Sequence, residues 1–139
     1  MADWQTQLRQ EREAQLRRMS REEIIAEMER FCAYDWEGDE RVAYKAHQHR
    51  QGWVEGHPMR RQPTVPELRA ISAKVKASPN LVYTCLDLKA RDKVAWMFIA
   101  GNVLVACRAG CIQTCYPVVG LDIYLAKMEQ WIDIGRWLQ

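Results

Sequence analysis

Four short apolar runs between residues 81 and 118 dominate the hydrophobic pattern of the chain. They are rich in β-branched, aromatic and aliphatic residues, and turn signals separate them, among them Gly101-Asn102 and Ala109-Gly110. Glycine and asparagine readily adopt the positive φ angles of tight hairpins. Connections this short exclude crossover helices, so the pattern predicts a four-stranded antiparallel β-meander.

Helical patterns flank the predicted sheet on both sides. Residues 1–19 form a charged helix with few apolar positions, which we expect to be peripheral and dispensable for folding. Residues 20–80 are the main helical part, which begins at the capping-box sequence Ser20–Glu23. Residues 121–138 predict a C-terminal helix that is apolar most of the way round, as in helices that are widely buried or bind a partner. The chain, residues 1–139, is thus predicted to be a single α+β domain.

Two-residue loops in the predicted hairpins determine which residues share a face of the sheet. They pair Phe98 with Val105 in one hairpin and Val105 with Thr114 in the next. Tyr116 then lies on the same apolar face as Thr114, whereas Arg108 lies on the opposite face. A shift of one residue in this register would exchange the two faces.

The net charge of the chain is only +2, but the charge is unevenly distributed. Residues 1–40 carry six basic and eleven acidic side chains, whereas residues 41–93 carry eleven basic and four acidic ones. A basic segment of this kind favours a polyanionic partner such as RNA, although the acidic first third is an alternative that would neutralise it within the fold. Candidate nucleic-acid-binding residues in this segment are Arg50, His57, Arg61, Lys74 and Lys76.

The chain has five cysteines, an odd number. Four of them lie in the predicted strands, where a free thiol behaves as a small apolar side chain. The N-terminus is charged, unlike a signal peptide, and no apolar run is long enough to cross a membrane. These features predict a reduced, cytoplasmic protein without a membrane-spanning segment.

All three histidines, His47, His49 and His57, lie within eleven residues of one another in the basic segment. Histidine transfers protons near neutral pH. Cleavage of RNA needs a base for the 2′-hydroxyl proton, an acid for the leaving 5′-oxygen and a cation for the charge of the phosphorane. This chemistry requires no metal or other cofactor. A zinc site at the three histidines is a weaker alternative.

The last predicted hairpin ends in Gly110-Cys-Ile-Gln-Thr-Cys-Tyr-Pro117. This ending resembles the final hairpin of the small ribonuclease toxins of the barnase–EndoU–colicin–RelE group. The likeness is greatest to the toxin tips of contact-dependent inhibition and other polymorphic toxin systems, where a glycine turn precedes Ile or Val and then Thr-x-Tyr-Pro. It extends in outline over residues 42–118. The resemblance implies a metal-independent ribonuclease acting on RNA, with a cognate immunity or target protein as a second partner.

The resemblance also implies roles for individual residues. Thr114 and Tyr116 lie on the motif and would position the scissile phosphate through their hydroxyl groups. One histidine of the pair His47 and His49 would be the general acid or base; both remain candidates, with His49 the closer match by its order along the chain. An arginine would bind phosphate oxygens, the candidates being Arg60, which matches by order, Arg61 and Arg50.

A second function fits the same sequence. Small size, an α+β pattern without strong catalytic motifs, uneven charge and a tryptophan-containing last helix also suit a non-enzymatic inhibitor. Such a protein, from a phage or another mobile element, would block a nucleic-acid-handling complex. The two functions differ in one structural requirement. A ribonuclease needs a histidine and the Thr114 hydroxyl within hydrogen-bond reach of one phosphate-sized cleft, whereas an inhibitor needs only a surface.

Overall fold

The computed structural model describes residues 3–90 and 93–138, which form six α-helices and a five-stranded antiparallel sheet. The predicted α+β class is confirmed. Within these described ranges, no helix combines the length and the apolar character needed to span a membrane. The elements are α1 (Asp3–Arg17), α2 (Arg21–Phe31), α3 (Asp39–Gln48), α4 (Arg50–Gly56), α5 (Val65–Ala77), β1 (Leu81–Leu86), β2 (Val94–Ala100), β3 (Val103–Arg108), β4 (Cys111–Pro117), α6 (Leu121–Lys127), β5 (Ile132–Asp133) and a 3₁₀ turn (Ile134–Trp137).

The four-stranded meander is confirmed, and a fifth strand extends it. The strand order is β4-β3-β2-β1-β5, with β5 antiparallel to β1. The predicted helix over residues 121–138 is therefore wrong beyond Lys127. Ile132 and Ile134 are buried at alternate positions, which is the period of a strand and not of a helix. This segment covers the edge of β1 that the meander leaves unpaired.

A β-bulge in the ladder between β3 and β4 changes the predicted faces of β4. The β2–β3 hairpin has the expected pairing, with Phe98 opposite Val105. The register shifts between Ala106 and Cys107, so that Thr114 lies opposite Ala106 and not opposite Val105. The predicted face of Thr114 and of the residues after it is wrong, because one extra residue on a bulged strand exchanges the faces of all later side chains.

Helices cover one face of the sheet deeply and the other more thinly. The main core lies between helices α1 to α5 and the sheet, and it includes the fully buried Trp53 and Trp96. The smaller core on the other face contains Met97 and Leu104. Half-buried aromatic residues of β1, β4, α6 and the segment after α6 pack against it. The second face thus keeps aromatic rings close to solvent.

The first helix is part of the packed structure, which corrects the expectation that residues 1–19 are peripheral. Leu8 and Leu16 are 0% and 1% exposed, and α1 packs against β1. Arg12, which lies between them on the same helical stripe, is also buried. A charged residue at the centre of this stripe interrupts its apolar pattern. The sequence alone therefore does not show that the helix has a buried face.

Arg12 is a buried cation whose hydrogen-bonding groups are paired. Its guanidinium donates to the Thr84 hydroxyl at 3.2 and 3.1 Å and forms an ion pair with Glu27. Its Cζ also lies 5.7 Å from the centre of the Trp96 ring, whose Nε1 donates to the same Glu27 carboxylate. Breaking such a pair leaves an uncompensated buried charge, so Arg12 joins α1 to α2 and to the sheet.

Truncation of Leu8 tests whether α1 belongs to the core. Leu8→Ala should lower the free energy of unfolding by about 2–5 kcal/mol, because it removes a fully buried side chain. The neighbouring exposed Gln7→Ala should change it by no more than about 0.5 kcal/mol. Chemical denaturation measures both values, and equal stability of the two variants would contradict the core assignment.

Candidate active site

One face of α3 carries Arg41 and Lys45 toward β4, and His49, at the end of the helix, continues this face. The three residues recur every four positions, a spacing that aligns side chains along a helix. The helix packs against β4, and Arg41 Nε donates to the backbone oxygen of Gln113 at 3.0 Å. Two cations and an imidazole are thereby held beside the strand that ends in Thr-x-Tyr-Pro.

His49 contacts both hydroxyl-bearing residues of that ending. Its Nε2 lies 3.4 Å from Thr114 Oγ1, although 65 positions separate the two residues in the chain. Its ring stacks on Tyr116, with centroids 4.3 Å apart and 17° between the planes. The structure therefore brings together three of the predicted site residues.

Tyr116 is held in its neutral form. Burial raises the pKa of its phenol well above the ordinary value, and the hydrogen bond to Tyr124 raises it further. The two phenol oxygens lie 2.8 Å apart. Tyr116 therefore serves as a hydrogen-bonding group and as a flat wall for the His49 ring, and it does not act as an anion.

The protonation of His49 is set by its burial and by neighbouring charge. Burial lowers the pKa of His49 below its ordinary value of 6.5, and the charge of Lys45 lowers it further. The pKa of Lys45 is itself lowered, first by burial and then by Arg41 and Arg108. At neutral pH the imidazole is consequently uncharged, with a lone pair that can accept a proton.

A cleft of about 280 Å³, which we call the cationic cleft, opens beside these groups. Arg41, Lys45 and Arg108 line it together with the two hydroxyl-bearing residues of β4. Asp87 is the acidic residue of this lining within the described chain, and it pairs with Arg108. The excess of positive charge suits the oxygens of a phosphate group.

Arg108 and Thr114 face the same cleft because of the β-bulge in β4. The predicted register placed Arg108 on the face opposite Thr114, and that prediction is wrong. Arg108 and Thr114 both line the cationic cleft, since the extra residue in β4 turns Thr114 toward the face that carries Arg108. A guanidinium from β3 and a hydroxyl from β4 thus face the same space.

Arg60, Arg61 and His57 line no part of the cationic cleft. Arg60 and His57 line a separate cavity of about 590 Å³, and the His57 ring packs edge-on against Trp53 with centroids 4.9 Å apart. Arg61 donates to both carboxylate oxygens of Glu67, at 2.7 and 2.6 Å. The structure does not bring these three predicted residues to His49.

His47, Arg50, Lys74 and Lys76 also lie outside the lining of the cationic cleft. The Arg50 guanidinium lies 3.1 Å from His47 Nε2 and donates to the His47 backbone oxygen at 2.9 Å, on an exposed surface. Lys76 donates to two backbone carbonyls at the end of α2 and just beyond it. Lys74 is exposed on α5. Of the two competing histidines, only His49 contacts the Thr-x-Tyr-Pro ending.

Sequence reasoning missed the three cations of the cleft. For Arg41 and Lys45 a signal existed, because their spacing of four residues from each other and from His49 places all three on one helical face. No local sequence pattern indicated Arg108, because the bulge decides whether Arg108 and Thr114 lie on the same face of the sheet.

Comparisons with family models, with curated proteins and with solved structures find no match for this chain. Within residues 3–90 and 93–138, no three His, Cys, Asp or Glu side chains are grouped so that they could hold a metal ion. The basis for assigning a function is the cationic cleft and the histidine beside it.

Burial and, after it, the charge of Lys45 predict the titration of His49. Its ring should titrate below pH 6.5, and Lys45→Gln should raise its pKa toward that value by removing the nearest positive charge. Lys74→Gln removes an equal charge from the exposed surface of α5 and should leave the pKa of His49 unchanged. The pH dependence of the His49 Cε1–H signal in NMR spectra measures these values, and a midpoint above 6.5 in the wild type would contradict the proposed environment.

Proposed function

We propose that this protein is a toxin-like endoribonuclease that cleaves RNA in the cationic cleft without a metal ion. The observation that carries the proposal is the position of His49. Its Nε2 lies 3.4 Å from the Thr114 hydroxyl, and Thr114 lines the cleft together with three cations, whereas His49 itself is not among the lining residues. A histidine and the Thr114 hydroxyl within hydrogen-bond reach of a phosphate-sized cleft is the feature that distinguishes a ribonuclease from a binding protein.

His49 acts as the general base. The ring is neutral at pH 7 because burial and Lys45 lower its pKa, so it accepts the proton of the ribose 2′-hydroxyl. The 2′-oxygen then attacks the adjacent phosphorus. Stacking on Tyr116 fixes the orientation of the imidazole, which keeps Nε2 directed toward Thr114.

The three cations stabilise the charge that develops on the phosphorane. Arg108 and Arg41 present planar guanidinium groups, which bind two phosphate oxygens at once. Because these groups are already in place before the substrate binds, they need little rearrangement in the transition state. Asp87 holds Arg108 by an ion pair and so fixes the direction of its guanidinium.

Lys45 acts as the general acid. Burial and the neighbouring cations lower its pKa, which makes the ammonium group a better proton donor than an exposed lysine. It protonates the 5′-oxygen as the P–O5′ bond breaks. The reaction then leaves a 2′,3′-cyclic phosphate and a free 5′-hydroxyl, with the 2′-hydroxyl proton on His49 and a neutral Lys45.

Thr114 positions the phosphate. Its distance of 3.4 Å from His49 Nε2 is long for a hydrogen bond between a hydroxyl and an imidazole, so the hydroxyl remains available for a phosphate oxygen. A threonine that only filled a sheet face would tolerate replacement by valine, which has the same shape. The hydroxyl is therefore the group to test.

Cleavage of RNA in excess chelator tests the proposed reaction. The wild-type protein should produce fragments with 2′,3′-cyclic phosphate ends. His49→Ala should lower the cleavage rate by about 10²–10⁴, the usual effect of removing a general base, while the melting temperature stays close to that of the wild type. Thr114→Val should lower the rate without disturbing the packing. Gel analysis of a defined RNA measures the rates.

His47→Ala is the matched control, because this histidine is exposed beside Arg50, whereas His49 contacts Thr114 and Tyr116. It should cleave at the wild-type rate. Full activity of both His49→Ala and Thr114→Val would place the reaction elsewhere. If the wild type leaves RNA intact under all conditions, the non-enzymatic inhibitor becomes the better assignment.

Phosphate binding by the cleft predicts a specific salt dependence. Arg41→Gln combined with Lys45→Gln should weaken binding of a 2′-deoxy oligonucleotide, which cannot be cleaved. The slope of log affinity against log salt should become shallower by about 0.7 for each phosphate that the variant no longer neutralises. Arg60→Gln combined with Arg61→Gln removes the same charge outside the cleft and should have the smaller effect. If Arg60→Gln combined with Arg61→Gln weakens binding more, the phosphate contacts belong to these two arginines, as the sequence predicted.

A further inference from the structure

Another cavity in the described part of the chain lies next to the cationic cleft. It has a volume of about 620 Å³ and is formed by α1, β1 and the segment that follows α6. The side chain of Trp131 lines both this cavity and the cationic cleft. The two spaces therefore share one wall.

The lining of this cavity differs in character from that of the cleft. Tyr83, Trp131 and Trp137 supply aromatic surface, and all three are partly exposed. Its charged residues are two arginines and three carboxylates, so the cavity has no excess of positive charge. One of the arginines, Arg9, already donates to the backbone oxygens of Glu129 and Trp131, at 3.1 and 2.8 Å. This lining suits a flat, neutral group with hydrogen-bonding edges better than it suits a phosphate.

A series of aromatic contacts connects His49 with the cavity. Beyond the His49–Tyr116 stack, the Tyr116 and Tyr124 hydroxyls lie 2.8 Å apart. The Tyr124 and Trp131 rings lie 5.9 Å apart, and those of Trp131 and Tyr83 lie 6.1 Å apart. A chain of side-chain contacts thus links His49 with the residue that lines both the cleft and the cavity.

We propose that the large cavity binds the nucleobase next to the scissile phosphate, with the base stacked on Trp131. This assignment depends on the proposed ribonuclease function for the position of the phosphate. Phosphate binds where cations are in excess, and the base binds where aromatic rings and mixed polar groups line the wall. One nucleotide then spans both spaces across the Trp131 side chain.

The assignment defines the substrate class as single-stranded RNA. A base inside a cavity cannot remain stacked and paired in a duplex, and extruding it from a duplex costs free energy. Stacking of bases on aromatic side chains accepts any base, because every base has a π-face. Loops and unpaired ends are therefore the expected sites of cleavage.

Binding of an uncleavable single strand to the wild-type protein tests this inference directly. A short single-stranded 2′-deoxy oligonucleotide should shift the indole N–H signals of Trp131 and Trp137 in NMR spectra. The signal of Trp4, which lines neither space, should not move. The same sequence in a duplex should bind at least tenfold more weakly. The three signals are assigned from the spectra of Trp131→Phe, Trp137→Phe and Trp4→Phe variants.

Trp131→Leu removes the stacking surface and keeps an apolar side chain. It should weaken binding of the single strand by between about fivefold and 150-fold, the range for removal of one base–aromatic stack. Trp4→Leu is the matched control and should bind like the wild type. Should Trp131→Leu fail to fold, the wild-type NMR shifts still decide the question.

The outcomes separate this inference from the proposed reaction. Shifts at His49 without shifts at Trp131 would overturn the base site and leave phosphate binding in the cleft. Shifts at Trp131 with uncut RNA would support the base site and overturn the ribonuclease. Equal affinity for duplex and single strand, or no binding at all, would overturn the base site.

Discussion

The β-bulge between Ala106 and Cys107 is the constraint on which the candidate site depends. It adds one residue to β4 and so turns Thr114 and Tyr116 toward the face that carries Arg108. Without it, the same side chains would point into the main core beside the fully buried Val105. His49 would then face no hydroxyl partner. One irregularity in a strand ladder thus decides which groups meet in the cationic cleft.

The arginines of this fold occupy two different kinds of surroundings. Arg12 is fully buried, and Glu27 and Thr84 satisfy its guanidinium, so it stabilises the junction of α1 with the sheet. Arg41 and Arg108 instead stand near Lys45, whose pKa is lowered first by burial and then by these two cations. Perturbed pKa values of this kind concentrate at functional sites.

The unequal cover of the sheet explains where the cleft lies. Five helices, α1 to α5, contribute to the core on the first face, whereas a short helix and an extended segment cover the second. Because so little of the chain covers this second face, the rings of Tyr83, Tyr116 and Trp131 are only half-buried. The apolar surface of Tyr116 and Trp131 lies next to the cations of the cleft. The proposed binding of a nucleotide, whose base is flat and whose phosphate is charged, rests on this combination of apolar and cationic surface.

The sequence by itself determined the α+β class, the four-stranded meander and the helix start at Ser20, because local periodicity, turn residues and a capping box specify these features. Only the tertiary structure decided the fifth strand, the burial of α1 and the set of cations in the cleft. Arg60, eleven positions from His49, lines another cavity, whereas Arg108, 59 positions away, lines the cleft that His49 adjoins. Edge pairing, helix docking and the bulge register all depend on contacts between distant parts of the chain, and no local pattern encodes them.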